Sequence, residues 1–204
     1  MQDILKIVAC GLIGYIIGSI PWALIIGKVF YKKDIREYGS GNLGGSNAGR
    51  VLGAKAGATV IILDALKAFI YMAILTKIAP VAIPYAGMAV IVGHCFPIFA
   101  HFKGGKGVAS AMGYLLGLSL LGFGDIWFTF IYPVLIFALV LCLTKWVSLS
   151  SMLSLVAATV IAFITNELYI AICILIITVF IIYRHKTNIQ RIAKNQETKI
   201  TWLK

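Results

Sequence analysis

Acidic side chains are scarce in this sequence: seven Asp and Glu stand among 204 residues, against 18 Lys and Arg. Charged residues together reach only 12%, where a soluble domain carries roughly 25%. Metal-ligating groups are few, with three histidines and four cysteines. Cys10, Cys95, Cys142 and Cys173 stand singly inside apolar stretches. That scatter excludes a spaced metal or disulfide framework and leaves them as small buried hydrophobes. Neither a metal nor a cofactor is expected. No polar stretch is long enough to fold as a soluble catalytic domain. Nucleic acid is excluded as a partner on the same ground, and any chemistry falls to loops and helix ends.

What the sequence does have is apolar length. Hydrophobic residues make up 61%, with a mean hydropathy of +0.98, so most of the chain has lipid as its solvent. The expected fold is an all-α integral membrane protein, a bundle of about seven transmembrane helices forming a single domain over residues 1–204. The first apolar run, Ile4 to Phe30, is too long for a signal peptide and stays as the first span, kinked at Pro21. Further spans are expected at Val51–Thr76, Val81–Ala100, Val108–Leu121, Ile126–Leu143, Val147–Thr165 and Leu168–Tyr183. The shortest, Val108–Leu121, reads either as a crossing or as a re-entrant segment.

The basic residues give this bundle a direction. Seven crossings put Lys32, Lys33, Arg36, Arg50, Lys103, Lys106 and Lys145 on one side, with the basic tail of Arg184, Lys186, Arg191, Lys194, Lys199 and Lys204. The other side receives Lys6 and Lys77. By the positive-inside rule the N-terminus lies outside and the tail in the cytoplasm. Part of the basic excess is this topology signal; the remainder suits anionic lipid or phosphorylated ligands.

Three polar segments share the expected cytoplasmic face. The first runs Tyr38-Gly39-Ser40-Gly41-Asn42-Leu43-Gly44-Gly45-Ser46-Asn47-Ala48-Gly49-Arg50. Glycines such as Gly41 let successive N–H groups form an anion-binding nest. Ser40, Asn42, Ser46 and Asn47 add neutral polar groups, and Arg50 adds a fork matched to phosphate oxygens. Gly39 to Gly44 formally fits a dinucleotide fingerprint, but no strand precedes it and no βαβ unit follows. A flexible surface loop is the competing reading; Arg50, expected to open an apolar helix, favours anion binding. The second segment holds Gly93-His94-Cys95-Phe96-Pro97 and then His101-Phe102-Lys103-Gly104-Gly105-Lys106-Gly107-Val108. Its spacing is not that of a P-loop, since Ala100 replaces the first glycine and Gly107 the magnesium-binding hydroxyl. Backbone donors, Lys106 and a helix N-terminus still aim at one place, which suits phosphate. His94 reads equally as a packing histidine or a functional one.

The third segment is Tyr183-Arg184-His185-Lys186-Thr187-Asn188-Ile189-Gln190-Arg191, with Glu197 beyond. Its basic residues read first as a topology anchor. His185 and Asn188, three apart, share a helix face and are candidates for a common ligand. Asp64 and Lys67 are intramembrane charges at the same spacing, read as an internal ion pair supporting the site before catalysis. Ser148, Ser150 and Ser151 stand at a helix start, where capping is the simplest role.

Together the segments resemble the membrane-bound glycerol-3-phosphate acyltransferases that use acyl phosphate as donor, the PlsY family. Gly39 to Arg50 is similar to the family's Gly-Ser-Gly-Asn-x-Gly-Ala-Thr-Asn-x-x-Arg. Gly93–Pro97 with Phe102–Ser110 is similar to its Gly-His-x-Phe-Pro and Phe-Lys-Gly-Gly-Lys-Gly-Val-Ala-Thr. Arg184-His185-x-x-Asn188-Ile189 with Glu197 resembles its third motif, and Gly18-Ser19-Ile20-Pro21 and Asp64-x-x-Lys67 resemble further family positions. Gly45-Ser46 replaces Ala-Thr, Ser110 replaces Thr, and Asn195 stands where the family has Gly. The resemblance implies that acyl phosphate and glycerol 3-phosphate give 1-acyl-glycerol 3-phosphate (lysophosphatidate) and phosphate, at the cytoplasmic face of a bacterial inner membrane. It implies Ser40 and Arg50 as essential and Gly104, Gly105, Lys106 and Gly107 as phosphate-binding. His185, Asn188 and Ser150 become contacts to the acceptor.

Two phosphates in one site call for converging cations and N–H donors, with the acyl chain left in a groove between spans. His185 is the obvious protein base. The donor's own phosphate is the preferred one, since no clear His–carboxylate pair is present. Ser40 is then a donor and not a nucleophile. A transporter for a phosphorylated anion is the rival class, as is a non-catalytic lipid-binding scaffold. A transporter predicts internal repeats and a midplane site, and neither is visible.

Overall fold

The computed structural model describes residues 1–200; Lys204 of the basic tail lies outside the described residues. Helices account for every regular element among those residues, and no strand is present. The chain folds as two compact units, Met1–Gly117 and Leu118–Lys204.

The first unit begins with α1 (Gln2–Gly18) and α2 (Trp22–Tyr31). Pro21 separates them, as the kink expectation anticipated, because it has no N–H to continue the ladder. Trp22 N–H bonds Ile20 O instead of Gly18 O. There follow α3 (Gly45–Leu52), α4 (Ala54–Ile78), α5 (Ile83–Cys95) and α6 (Val108–Leu120), whose last turn falls in the second unit. Small residues bring α1 and α5 together, as they do between helices that lack a hydrophobic driving force in lipid. A Cβ on Gly18 would overlap the Val90 backbone, and one on Gly93 would overlap Tyr15 O. Tyr71 Oη donates to Cys10 O at 2.6 Å and Tyr15 Oη to Phe96 O at 2.9 Å, tying α4 and the end of α5 to α1.

The second unit holds α7 (Tyr132–Thr144), α8 (Val147–Thr165), α9 (Leu168–Arg184) and α10 (Lys186–Ala193). A π-helical turn, Trp127–Ile131, precedes α7 just before Pro133, and Asp125 Oδ1 accepts from Trp127 N–H at 2.8 Å to start it. Hydroxyls serve as glue: Ser154 Oγ donates to Pro133 O at 2.6 Å, and Thr159 Oγ1 to Thr178 Oγ1 at 2.8 Å. Between α9 and α10 the axis bends by 60°.

All seven expected apolar segments are helical, and five stretches are long and apolar enough to cross a membrane. The bent α9–α10 pair makes a sixth if it is one span. The remaining helix, α6, has 13 residues, about 20 Å at 1.5 Å per residue, against a hydrocarbon core of about 30 Å. Large apolar side chains such as Leu12, Ile74, Leu139 and Val179 stay exposed along the helices, the surface that lipid covers.

Candidate active site

The loop between α2 and α3 is shaped by one side chain. Asn47 is buried, and its Nδ2 donates to Ile35 O at 3.1 Å and Tyr38 O at 3.2 Å. Its Oδ1 accepts from Ser40 N–H at 2.9 Å. The chain reverses through Gly39 (φ +60°) and Gly41 (φ +70°), where a side chain would be strained. Expected among the ligand contacts, Asn47 is thus committed to the loop's own backbone. Ser40 is exposed at the tip, its Oγ accepting from Asn42 Nδ2 at 3.1 Å, so the hydroxyl proton remains to be donated. Ser46 is exposed in the first turn of α3.

Arg50 is not where the sequence suggested. Gly53, at φ +99°, breaks the chain before the long helix, which begins at Ala54. Arg50 therefore sits in the last turn of the short α3, where a cation complements the negative end of the helix dipole. The helix-N-terminus argument does not apply to it. Its guanidinium is exposed and has no hydrogen bond or ion pair among the described residues. In the loop before α3, Asp34 pairs bidentately with Arg36 (2.6 and 2.9 Å) and with Lys28 at 3.2 Å. The hydrogen bonds from Arg36 hold the Asp34 carboxyl well below the usual carboxylate range.

The second glycine-rich loop lies against the first. Gly105 N–H donates to His94 O at 3.1 Å, so this amide gives shape and not a free donor. A Cβ on Gly105 would overlap His94 Nε2 and lie 3.1 Å from Leu43 O, while one on Gly104 would overlap His94 O. Gly104, Gly105 and Gly107 are buried, Lys106 is half-buried, and Gly107 at φ +91° turns the chain into α6. Ser110 Oγ, one turn into that helix, is buried with no partner among the described residues.

Beneath this loop lies a cluster that sequence reading joined only in part. Lys67 Nζ is 2.9 Å from Asp64 Oδ1, the expected ion pair, and also 3.0 Å from His94 Nδ1. His94 Nδ1 is 3.2 Å from the same carboxylate oxygen. Lys67 donates as well to Gly18 O at 2.9 Å. The signal that could have linked them was Pro21, which orphans that carbonyl. Nearby, an apolar groove of about 490 Å³ is lined by Ile20, Pro21, Leu24, Val29 and Phe99, with Lys28 among its walls.

In the second unit the candidate residues lie around the α9–α10 bend. His185 caps α10 and is buried; its Nδ1 lies 2.8 Å from Ile181 O. A carbonyl only accepts, so Nδ1 carries the proton and Nε2 the lone pair of the neutral ring. Asn188, one turn on, donates from Nδ2 to Glu197 Oε1 at 2.6 Å. Ser148 Oγ donates to the same oxygen at 2.8 Å and Arg191 Nε to Oε2 at 2.8 Å. Burial would raise the Glu197 pKa, but hydrogen bonds from Arg191, Asn188 and Ser148, with the Arg191 charge, hold it below the ordinary value. Asn195, which replaces the expected glycine, takes a left-handed φ of 54° that asparagine tolerates, so the chain still returns Glu197 to α10. None of the serines caps α8 through its side chain. Ser150 and Ser151 donate back to Trp146 O and Val147 O at 2.8 and 2.7 Å, the alternative open to a helical serine.

No group of three or more His, Cys, Asp or Glu side chains among the described residues could hold a metal. The helices define a multi-span integral membrane protein with two glycine-rich loops between its helices. The chain belongs to the glycerol-3-phosphate acyltransferase family, whose model matches residues 8–195. It is 42% identical over 204 residues to the glycerol-3-phosphate acyltransferase of Listeria welshimeri, covering 98% of this chain and 99% of that one. To the Bacillus subtilis glycerol-3-phosphate acyltransferase it is 45% identical over 196 residues, covering 94% and 96%. Among solved structures it is similar to PlsY (YgiH), an integral membrane glycerol 3-phosphate acyltransferase. The glycerol 3-phosphate form superposes with a TM-score of 0.87 at 31% identity over 97% of each chain. The lysophosphatidic acid form gives 0.84 at the same identity and coverage.

Proposed function

We propose that the protein transfers a fatty acyl group from acyl phosphate to a hydroxyl of glycerol 3-phosphate, giving 1-acyl-glycerol 3-phosphate and inorganic phosphate. This is an early step of phospholipid synthesis, run at the cytoplasmic face of a bacterial inner membrane with the N-terminus outside. The observation that carries the reading is the meeting of the two glycine-rich loops at Leu43 and Gly105, together with an exposed Arg50 that has no ion-pair partner among the described residues. The glycerol 3-phosphate and lysophosphatidic acid forms of the similar PlsY structures support the choice of acceptor and product.

Lys106, with the backbone of Gly104 and Gly107, holds a phosphate, and Arg50 neutralises charge that builds on the reacting groups. The acyl chain takes the apolar groove lined by Leu24 and Phe99. Ser40, oriented by Asn42 and supported from beneath by Asn47, donates to the carbonyl oxygen. His185, Asn188 and Ser150 contact the acceptor; Gly41, Asn42 and Ser46 complete the first loop's surface. The acceptor oxygen attacks the acyl carbon, the carbon–oxygen bond to phosphate breaks, and the hydroxyl proton passes to the departing phosphate. His185 Nε2, with its lone pair, is the alternative acceptor of that proton. Ser40 has no base as a partner among the described residues, so no acyl-serine forms.

The test is purified protein in liposomes with acyl phosphate and glycerol 3-phosphate. Lysophosphatidate should appear, with no acylated Ser40 by mass spectrometry. Uptake of glycerol 3-phosphate into the vesicles without product would replace this reading with the transporter.

A further inference from the structure

Resting on that reading, we infer that Asp64 and Lys67 are positioning residues which fix the tautomer of His94 and thereby seat the Gly104–Gly107 loop. The path starts at Pro21, which leaves Gly18 O without its helical donor. Lys67, 4% exposed through its side chain, fills that place at 2.9 Å and completes a cation at a helix C-terminus. Asp64, 2% exposed, balances its charge within the same helix turn.

The third short contact of Lys67 is to His94 Nδ1 at 3.0 Å. A lysine ammonium has three protons and no lone pair. Of the four acceptors around Nζ, Ile20 O is the farthest at 3.3 Å, so the three protons go to Gly18 O, Asp64 Oδ1 and Nδ1. Asp64 Oδ1 also lies 3.2 Å from Nδ1, but a proton on Nδ1 would set donor against donor at the shorter 3.0 Å contact, so Nδ1 accepts and the ring proton sits on Nε2. The bond made by one ring nitrogen thus sets the state of the other. Nε2 is the ring atom against which Gly105 lies, so close that a Cβ there would overlap it. The same residue's carbonyl takes the Gly105 N–H at 3.1 Å. Main chain and imidazole of His94 together form the bed of the loop, and the buried pair holds that bed from behind. Among the described residues, neither Asp64 nor Lys67 hydrogen-bonds the loop itself; both bear on His94.

Two readouts test this. In the full-length ¹⁵N-labelled protein in detergent, the His94 ring, assigned by its loss in His94→Gln, should show an unprotonated Nδ1 and a protonated Nε2. In Lys67→Met the proton should shift toward Nδ1, drawn by Asp64. Kinetically, Lys67→Met and His94→Ala should raise the inhibition constant of inorganic phosphate and the KM of one phosphate substrate by about tenfold to a hundredfold. His94→Gln, which keeps an amide N–H near the Nε2 position, should stay within about threefold of wild type by the same geometric argument. A merely structural role would lower the yield of folded protein and leave the KM of the folded fraction unchanged. A protonated Nδ1 in the wild-type ring, or a Gln variant as impaired as Ala, overturns the inference. The ring measurement needs no turnover, so it stands apart from failure of the acyltransferase reading.

Discussion

The two glycine-rich loops of Met1–Gly117 and the helix bend of Leu118–Lys204 handle polar groups in opposite ways. In the first unit the backbone supplies the shape: Gly39, Gly41 and Gly107 take left-handed conformations, and Gly104 and Gly105 press against His94 where no side chain fits. In the second unit side chains supply it. One carboxylate, Glu197, ties Ser148 of α8 to Asn188 and Arg191 of α10. A surface made of backbone is damaged by adding atoms, and one made of side chains by removing charge or hydrogen bonds.

The largest effect should come from the two cations beside the backbone loops. Arg50→Ala and Lys106→Ala should each lower kcat/KM by about 10²–10³, the cost of removing one preorganised donor, with helix content by circular dichroism unchanged. Near-normal rates in either variant would detach the loops from the chemistry. Next comes an added atom. Gly105→Ala must push the loop off His94, and a displacement of about 1 Å costs on the order of 10²-fold, seen in steady-state rates at full folded yield. A smaller loss is expected for Asn47→Asp, which can still accept from Ser40 N–H but cannot donate to Ile35 O and Tyr38 O. Each carbonyl keeps a backbone donor, Tyr38 N–H or Gly41 N–H, so the loss is that of two net hydrogen bonds, about 0.5–1.5 kcal/mol each, read as a lower thermal midpoint with activity reduced roughly tenfold by the shifted Ser40.

The smallest effect distinguishes the second unit. Glu197 has a folded pKa below its ordinary 4.5, so it contributes stability that is fully present above pH 4.5 and is lost as pH falls through the lower, folded value. Glu197→Gln should therefore flatten the acid limb of the thermal midpoint against pH and leave the neutral limb parallel to wild type. Asp34, shifted in the same direction in the first unit, keeps part of that limb in the variant. An unchanged acid limb would show that the bend does not depend on this carboxylate.

The same contrast explains what could be read in advance. Apolar periods and glycine motifs are local, so the helices and both loops were legible. Arg50 was misplaced by a few residues because Gly53 starts the long helix later than hydropathy alone indicates. Asn47 looked like a ligand contact because nothing local says that its amide reaches back to Ile35 O and Tyr38 O. The serines at the start of α8 suggested caps, yet Ser148 reaches Glu197, 49 residues away. Partners of that kind depend on how α8, α10 and the returning tail meet, which no window of sequence contains. Asp64 and Lys67 were visible as a pair through their spacing; their link to His94, 27 residues beyond Lys67, was not.

The most direct measurement is the product balance of purified protein given acyl phosphate and glycerol 3-phosphate, with lysophosphatidate and inorganic phosphate counted in the same sample. Equal amounts of the two, both abolished in the Arg50→Ala variant, are what the account predicts. Phosphate released without lysophosphatidate, or lysophosphatidate formed only from a thioester donor, would contradict it.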